Sequence, residues 1–270
     1  MSIAEREAVR LAWESSGSGP PLLLIQGLAY DRFGWGPGRE LLAERFRVLS
    51  FDNRGVGESD VPPGPYTTAE MAADAAAVLD ASDVERAHVL GVSLGGMIAQ
   101  ELALAFPQRI DRLVLACTTP GGPSAYPLPQ VSVEKFALFP TLPIEEGLRM
   151  MIENSLSDES VRERPDLVEE IYAYRLGHRP TLEGWQFQAV AAFGFEALDR
   201  LGEITAPTLL LHGTADDVVD VRNADLLLER LQNARLERFE GAGHLLMWEQ
   251  PERFAVTVRT FLEEEEEEEV

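Results

Sequence analysis

A single serine in the chain has the sequence context of a catalytic nucleophile. Ser93 is the central residue of a Gly-x-Ser-x-Gly motif that spans residues 91–95, between an apolar segment and a helical pattern. In a strand-turn-helix context this spacing is typical of a serine on a tight, strained turn, with its hydroxyl exposed beside the amides of the helix N-terminus. The sequence therefore predicts a nucleophilic serine at position 93.

A serine nucleophile needs a base, because its hydroxyl is almost un-ionised at neutral pH. His244, in a Gly-Ala-Gly-His sequence after the last predicted strand, is the candidate. The other histidines fit this role less well. His88 lies inside a predicted strand and is expected to be packed, and His212 ends a strand and is expected to hydrogen-bond locally. His178 belongs to a helical insertion, where it is expected to be exposed, with a pocket role as the alternative.

The base in turn needs a carboxylate that orients its ring. Asp216 and Asp217 follow the predicted strand that ends at His212, and from position alone either could serve. Acyl transfer also requires two donors aimed at the oxyanion. The amide of Leu94, next after the serine, is one candidate, and the amide of Leu28, after an early strand, is the other.

The elements that would position these residues alternate along the chain. Short apolar runs bounded by turn residues predict buried strands at 21–25, 46–51, 87–90, 113–116, 207–212 and 234–239. Helical patterns lie between them at 67–79, 97–106, 224–231 and 251–262. This alternation predicts an α/β fold with a mostly parallel sheet flanked by helices.

The alternation is interrupted by an insertion that is proline-rich at first and then helical. Helices are expected at 145–154, 166–176 and 181–192, with no strand. We therefore predict an α/β core from residues 1–117 and 203–262, an all-helical cap from 118–202, and an acidic disordered tail at 263–270. Most of the insertion's aromatic residues are expected to pack its own core, with a few lining a pocket against the sheet: Phe136, Phe139, Tyr172, Tyr174, Trp185, Phe187, Phe193 and Phe195.

Composition excludes several classes of function. The formal net charge of −23 argues against nucleic acid and anionic membranes as partners, since both require a basic surface. The single cysteine, Cys117, excludes an intramolecular disulfide, and with four histidines it leaves little for a metal site. The charged N-terminus lacks the apolar core of a signal peptide, and no apolar run reaches the ~18 residues of a membrane span. We expect a cytoplasmic protein with a small-molecule substrate and no cofactor; the oligomeric state is open.

These motifs together resemble the α/β-hydrolase superfamily over nearly the whole chain. Residues 52–59 are similar to its Asp-x-Arg-Gly-x-Gly-x-Ser loop, and 241–252 resemble its histidine loop and following helix. The order Ser93, Asp216, His244 is the order of the family's triad. The family's acid stands three residues after a glycine, as Asp216 does after Gly213, so the resemblance favours Asp216 over Asp217. The resemblance also implies the fold with a helical cap after the sixth strand.

Within the superfamily, residues 60–67 and the region around Ser93 resemble 3-oxoadipate enol-lactonases and related small esterases. We therefore predict a serine hydrolase that cleaves a small carboxylic ester or lactone through an acyl-enzyme. The substrate of an enol-lactonase carries two carboxylates and would need cations in the cap, for which six residues are candidates: Arg149, Arg162, Arg164, Arg175, Arg179 and His178. The alternatives are a cofactor-free haloperoxidase or perhydrolase, a lyase on the same fold, and a non-catalytic ligand-binding protein.

Overall fold

The computed structural model describes residues 1–264 and contains one sheet of eight strands. The strand order is β1-β2-β4-β3-β5-β6-β7-β8. Among these described strands, β1 pairs antiparallel with β2 and β2 pairs antiparallel with β4, and the other pairs are parallel. Because β3 to β8 are parallel, the loops that follow them meet at one edge of the sheet. The strands are β1 Ser2–Arg6, β2 Val9–Ser16, β3 Pro21–Ile25, β4 Arg47–Phe51, β5 Ala87–Val92, β6 Ile110–Ala116, β7 Thr208–Gly213 and β8 Ala234–Phe239.

Helices cover both faces of this sheet. The period-two alternation of β3 shows how the strands serve both layers: Leu23 and Ile25 enter one buried cluster, and Leu22 and Leu24 enter the other. The prediction of an α/β fold with a mostly parallel sheet is confirmed. The helices of this part are α1 Pro37–Ala43, α2 Thr68–Ala81, α3 Leu94–Ala105, α9 Arg222–Arg230, α10 Leu246–Glu249 and α11 Pro251–Leu262, with a 3-10 turn at Pro107–Arg109.

The insertion between β6 and β7 is helical, apart from one isolated bridge between Gly121 and Glu196. Its three longer helices agree with the predicted segments to within one or two residues, whereas the two shorter ones were not predicted. The segments are α4 Gln130–Leu138, α5 Ile144–Ser155, α6 Asp158–Glu163, α7 Pro165–Gly177 and α8 Leu182–Phe193, with 3-10 turns at Phe139–Thr141 and Leu198–Glu203. We refer to residues 118–202 as the cap.

The hairpin formed by β1 and β2 was also missed. Its turn is formed by Glu7 and Ala8, both at positive φ (49° and 67°). Glycine, asparagine or aspartate normally occupies such positions. Because neither residue is one of these, the sequence carries no recognisable hairpin signal there.

The acidic C-terminus lies partly outside the structure. The predicted disordered tail at 263–270 includes residues 265–270, which are outside the described residues. Glu263 and Glu264, which are described, form ion pairs with surface arginines of the α/β core. Glu263 lies 2.8 Å from Arg45, and Glu264 lies 2.7 Å from Arg235. From Met1 to Glu264, none of the helices combines the length and the apolar character needed to cross a membrane.

Candidate active site

Ser93 occupies the sharp turn between β5 and α3. Its backbone has φ 56° and ψ −121°, a conformation that is unfavourable for a residue with a side chain. Two hydrogen bonds hold it there: Ser93 N donates to the Ala116 carbonyl (2.9 Å), and the Thr118 hydroxyl donates to the Ser93 carbonyl (2.7 Å). The strain therefore presents the hydroxyl at the carboxyl edge of the sheet.

The glycines of the motif are required by space. A Cβ on Gly91 would lie 2.2 Å from the Gly95 carbonyl oxygen. A Cβ on Gly95 would lie 1.9 Å from the carbonyl oxygen of Ile25, at the end of β3. Because both obstacles are backbone atoms, larger residues cannot be accommodated without moving the turn.

His244 and Asp216 form a buried pair on the neighbouring loops. The His244 Nδ1 lies 2.8 Å from Asp216 Oδ2. The other Asp216 oxygen accepts hydrogen bonds from the amides of Val218 (2.8 Å) and Val219 (2.9 Å). These contacts fix the position of the carboxylate. Because Nδ1 of His244 interacts with Asp216, its Nε2 is the ring nitrogen that can accept a proton. Asp217 is exposed.

The surroundings of Asp216 keep it ionised. Burial alone would raise its pKa, but the charge of His244 and hydrogen bonds from His212 and His244 outweigh it, so the pKa lies below the ordinary range of aspartate. His212 Nε2 lies 3.2 Å from Asp216 Oδ2 and 3.0 Å from the Val219 carbonyl. His212 thus makes the local bonds expected of it, and one of them supports the acid.

The remaining histidines lie away from this pair. His88 is buried on β5, edge-on to Phe46 at 5.9 Å between ring centroids, and burial lowers its pKa. His178, at the end of α7, is exposed as expected, but its Nδ1 lies 2.6 Å from Asp31 of the core.

Ser93 and His244 face the same cavity. Both line a space of about 1070 Å³ between the sheet edge and the cap. Across the part of the chain that the structure describes, the Ser93 hydroxyl makes no hydrogen bond with His244. Such bonds often tighten only when substrate binds.

The predicted oxyanion donors lie beside Ser93. Leu94 is the first residue of α3, so its amide has no partner within the helix. The loop containing Leu28 passes the serine closely, since a Cβ on Gly27 would lie 3.1 Å from the Ser93 Cβ. Gly27 N donates to Gln26 Oε1 (2.7 Å) and Ala29 N donates to Gln188 Oε1 (3.0 Å). Within residues 1–264, the Leu28 amide between them makes no hydrogen bond.

One cluster near the site has the donor types of a metal site. Ligand atoms of Cys117, Asp216 and His244 lie within 4.8 Å of one another. The Cys117 thiol is buried, and burial raises its pKa well above the usual range. The Asp216 carboxylate already accepts several hydrogen bonds. The cluster is therefore better explained as part of the His244–Asp216 pair.

The cap contributes more to the cavity than the sequence indicated. Packing inside the cap was expected for most of its aromatic residues, but five of the eight line the cavity: Phe136, Phe139, Trp185, Phe193 and Phe195. The loops of the site are also contacted by three polar side chains of the described residues: Arg175 and Gln188 of the cap, and Glu249 of α10. From the sequence, Arg175 was expected only as a candidate cation for a substrate carboxylate, and Gln188 and Glu249 were missed. Only comparison of the cap residues with known structures could have indicated the contacts that Arg175 and Gln188 make.

Comparison with known proteins places the chain in a family. Residues 20–251 match the family model described as the alpha/beta hydrolase fold. A 2-hydroxy-6-oxononadienedioate/2-hydroxy-6-oxononatrienedioate hydrolase of Paraburkholderia xenovorans is 32% identical over 264 residues, 94% of this chain and 91% of that protein.

Two solved structures are similar over almost their whole length. Est816, described as an N-acyl homoserine lactone degrading enzyme, is 30% identical with a TM-score of 0.83, covering 96% of this chain and 100% of its own. The enol-lactonase of Burkholderia xenovorans LB400 is 25% identical with a TM-score of 0.86, covering 97% and 100%. The chain belongs to the α/β-hydrolase family, and the family resemblance seen in the sequence is confirmed.

Proposed function

We propose that this α/β hydrolase is a serine hydrolase that cleaves a small carboxylic ester or lactone through an acyl-enzyme. The observation that carries the proposal is the convergence of Ser93 and the His244–Asp216 pair on one cavity. The lactone-cleaving activities named for the two similar structures support it. Fold alone would not suffice, since this fold hosts many reactions.

The reaction begins at Nε2 of His244, which makes no hydrogen bond within residues 1–264. This nitrogen takes the Ser93 hydroxyl proton as the oxygen attacks the carbonyl carbon. The Asp216 carboxylate holds the ring and stabilises the imidazolium that forms. The amides of Leu28 and Leu94 then donate to the oxyanion of the tetrahedral intermediate.

Collapse of this intermediate breaks the ester bond. His244 gives its proton to the departing alkoxide, which leaves as an alcohol, or stays attached to the acyl group when the substrate is a lactone. Water, deprotonated by His244, attacks the acyl-enzyme, and a carboxylic acid is released as Ser93 regains its proton. Oxidation states do not change in any step.

The test is hydrolysis of p-nitrophenyl esters by the wild type, Ser93→Ala and a matched control. Ser124→Ala is the control, because Ser124 is an exposed cap serine that does not line the cavity. We expect turnover by the wild type and the control, and loss of at least about 10⁴-fold in kcat for Ser93→Ala. Equal rates in Ser93→Ala and wild type would contradict the proposal, as would a carboxylic ester or lactone panel on which the wild type has no activity.

A further inference from the structure

The cavity is large and mostly apolar. Its volume of about 1070 Å³ slightly exceeds the usual range for small-molecule sites, about 300–1,000 Å³. Much of its wall is formed by aliphatic and aromatic side chains, among them Met97, Phe136, Leu148, Trp185, Phe195 and Val219. An acetyl group would leave most of this apolar surface without a partner.

The charged groups of the cavity are poorly placed to bind a carboxylate inside it. The buried Arg175 donates to the Ala29 carbonyl and stacks over the Tyr30 ring, 4.1 Å from its centroid. Asp220 is paired with Arg222. Arg179 is exposed, where water competes for any anion. The net charge of −23 further disfavours anionic substrates.

The apolar wall continues to the outer surface of the cap. Leu182 and Phe193 line the cavity and are each 72% exposed. Tyr126, Ile144 and Leu176 also line it and are exposed. An exposed apolar rim that joins an apolar cavity is the signature of a groove for an apolar ligand, because such surface is otherwise unfavourable in water.

We propose, resting on the function proposed above, that the substrate is an ester or lactone with an uncharged, extended apolar acyl chain. The carbonyl lies at Ser93, and the chain runs along the aromatic wall toward the rim at Leu182 and Phe193. This differs from a dicarboxylate substrate, which the resemblance to enol-lactonases implied.

The test is the dependence of kcat/KM on acyl-chain length in p-nitrophenyl esters from acetate to decanoate. Each buried methylene contributes up to about four-fold, the equivalent of about 0.8 kcal/mol. We expect kcat/KM to rise at least about ten-fold from butyrate to octanoate. A flat profile, or the highest kcat/KM for acetate, would overturn the proposal of an apolar acyl chain. The proposal that the protein is a serine hydrolase would be unaffected.

Two sets of variants test where the acyl chain of the substrate binds. Leu182→Ser combined with Phe193→Ser is expected to lower the ratio of octanoate to acetate kcat/KM at least about three-fold. Val190→Ser, on the same helix and exposed but outside the cavity lining, should keep that ratio. If instead a dicarboxylate lactone is cleaved faster than the neutral esters and Arg179→Ala abolishes this preference, the proposal is overturned.

Affinity for uncharged methyl ketones, measured by calorimetry, supplies a readout that does not depend on turnover. Affinity that rises with alkyl length would support the binding site for the apolar acyl chain. If no ester were cleaved while affinity still rose in this way, the proposed function would be contradicted and the acyl-chain site would stand. Affinity independent of length would overturn the chain site.

A separate observation concerns the loop that carries the Leu28 amide. Ala29 has φ 66°, in the left-handed region that favours glycine. Two cap side chains hold both of its polar backbone groups: Gln188 accepts from Ala29 N (3.0 Å), and Arg175 donates to the Ala29 carbonyl.

Gln188 is itself firmly anchored. It is fully buried, and its Nε2 donates to the Arg54 carbonyl (2.8 Å). The Arg54 side chain in turn bonds to buried Asp74 at 2.6 Å. Because both ends of the Gln188 amide are engaged, the amide cannot rotate without losing a bond, and the position of Ala29 is fixed relative to the core.

The geometry points to Arg175 and Gln188 as positioning residues for the oxyanion donor at Leu28. By fixing Ala29 they set the direction of the adjacent Leu28 amide. Removal of an oxyanion donor costs about 10²–10³-fold in kcat, so a displaced donor should cost less, about ten-fold.

The test is Gln188→Met, which keeps the side chain's length and removes its hydrogen bonds. Gln186→Met, at an exposed position on the same helix, is the control. We expect Gln188→Met to lower kcat about ten-fold with KM within about two-fold. Affinity for a boronic acid, which forms a tetrahedral adduct on the serine, should fall about ten-fold while affinity for a methyl ketone is retained.

Arg175 supplies an independent check. Arg175→Lys keeps a donor for the Ala29 carbonyl and should retain more of kcat than Arg175→Met. If Gln188→Met and Arg175→Met lower the unfolding temperature but leave kcat and boronic acid affinity unchanged, the residues are structural only and the positioning role is refuted.

Discussion

The core side of the site and the cap side are built in different ways. On the core side, Ser93, Asp216 and His244 each follow a strand, and backbone hydrogen bonds and closely packed glycines hold the loops that carry them. On the cap side, helices contribute apolar side chains such as Trp185 and Phe193, one of them largely exposed. The comparison indicates that the chemistry depends on backbone geometry, whereas substrate choice depends on side chains that can be exchanged.

The largest expected effect concerns the acid on the core side. Asp216→Asn should lower kcat about 10⁴-fold, because the amide favours the wrong tautomer of His244. Asp217→Asn, one residue away and exposed, should change kcat less than about two-fold. Steady-state kinetics on one ester compares the two, and comparable losses would contradict the assignment of the acid.

Glycine substitutions should lower the free energy of unfolding more in the core than in the cap. Gly95→Ala places a Cβ 1.9 Å from the Ile25 oxygen and should lower the free energy of unfolding by about 3 kcal/mol or more. A Cβ on Gly177, at the end of α7 in the cap, would meet no atom of residues 1–264 within 4 Å, so Gly177→Ala should change the free energy of unfolding by no more than about 1 kcal/mol. Urea denaturation measures both, and similar values would remove the contrast.

A substitution at the junction between core and cap should have an intermediate effect on the free energy of unfolding. Glu249, buried near His244, accepts from Gly243 N (2.7 Å) and from the hydroxyls of Ser157 (2.7 Å) and Ser160 (2.6 Å) in the cap. Glu249→Gln weakens these charge-assisted bonds and should lower the free energy of unfolding by about 2 kcal/mol. Glu252→Gln, on the exposed side of α11, is the control for urea denaturation. Equal stability of the two variants would show that the junction contributes nothing.

The smallest effect concerns pH. The pKa of Asp216 is lower in the folded protein than the ordinary value of about 3.9 in an unfolded chain. Its ionisation therefore stabilises the fold above that ordinary value, and the contribution is lost as the pH falls toward the folded pKa. Wild type should lose more stability than Asp216→Asn as the pH is lowered from 5 to 3. Parallel loss in the two proteins would contradict this contribution.

The same division explains which features could be predicted from the sequence. The strand and turn around Ser93 were predictable because the glycines, the apolar run and the helix start are adjacent in the chain. The family resemblance likewise favoured Asp216 over Asp217, and in the structure Asp216 contacts the His244 ring.

The cap contacts could not be predicted in this way. Arg175 and Gln188 meet Ala29 across 146 and 159 positions, and no local pattern encodes such contacts. The β1–β2 hairpin was missed for a different reason, since Glu7 and Ala8 adopt positive φ without the usual turn residues.

The most direct test of the central claim is covalent labelling with a fluorophosphonate, followed by mapping of the modified peptide by mass spectrometry. The account predicts stoichiometric labelling of Ser93, labelling of Ser124→Ala at the same rate, and none of Ser93→Ala. Labelling slowed by at least about 10³-fold is expected in His244→Ala, because the serine then has no base. An unlabelled wild type, or a label on another residue that persists in Ser93→Ala, would contradict the claim that Ser93 is the nucleophile.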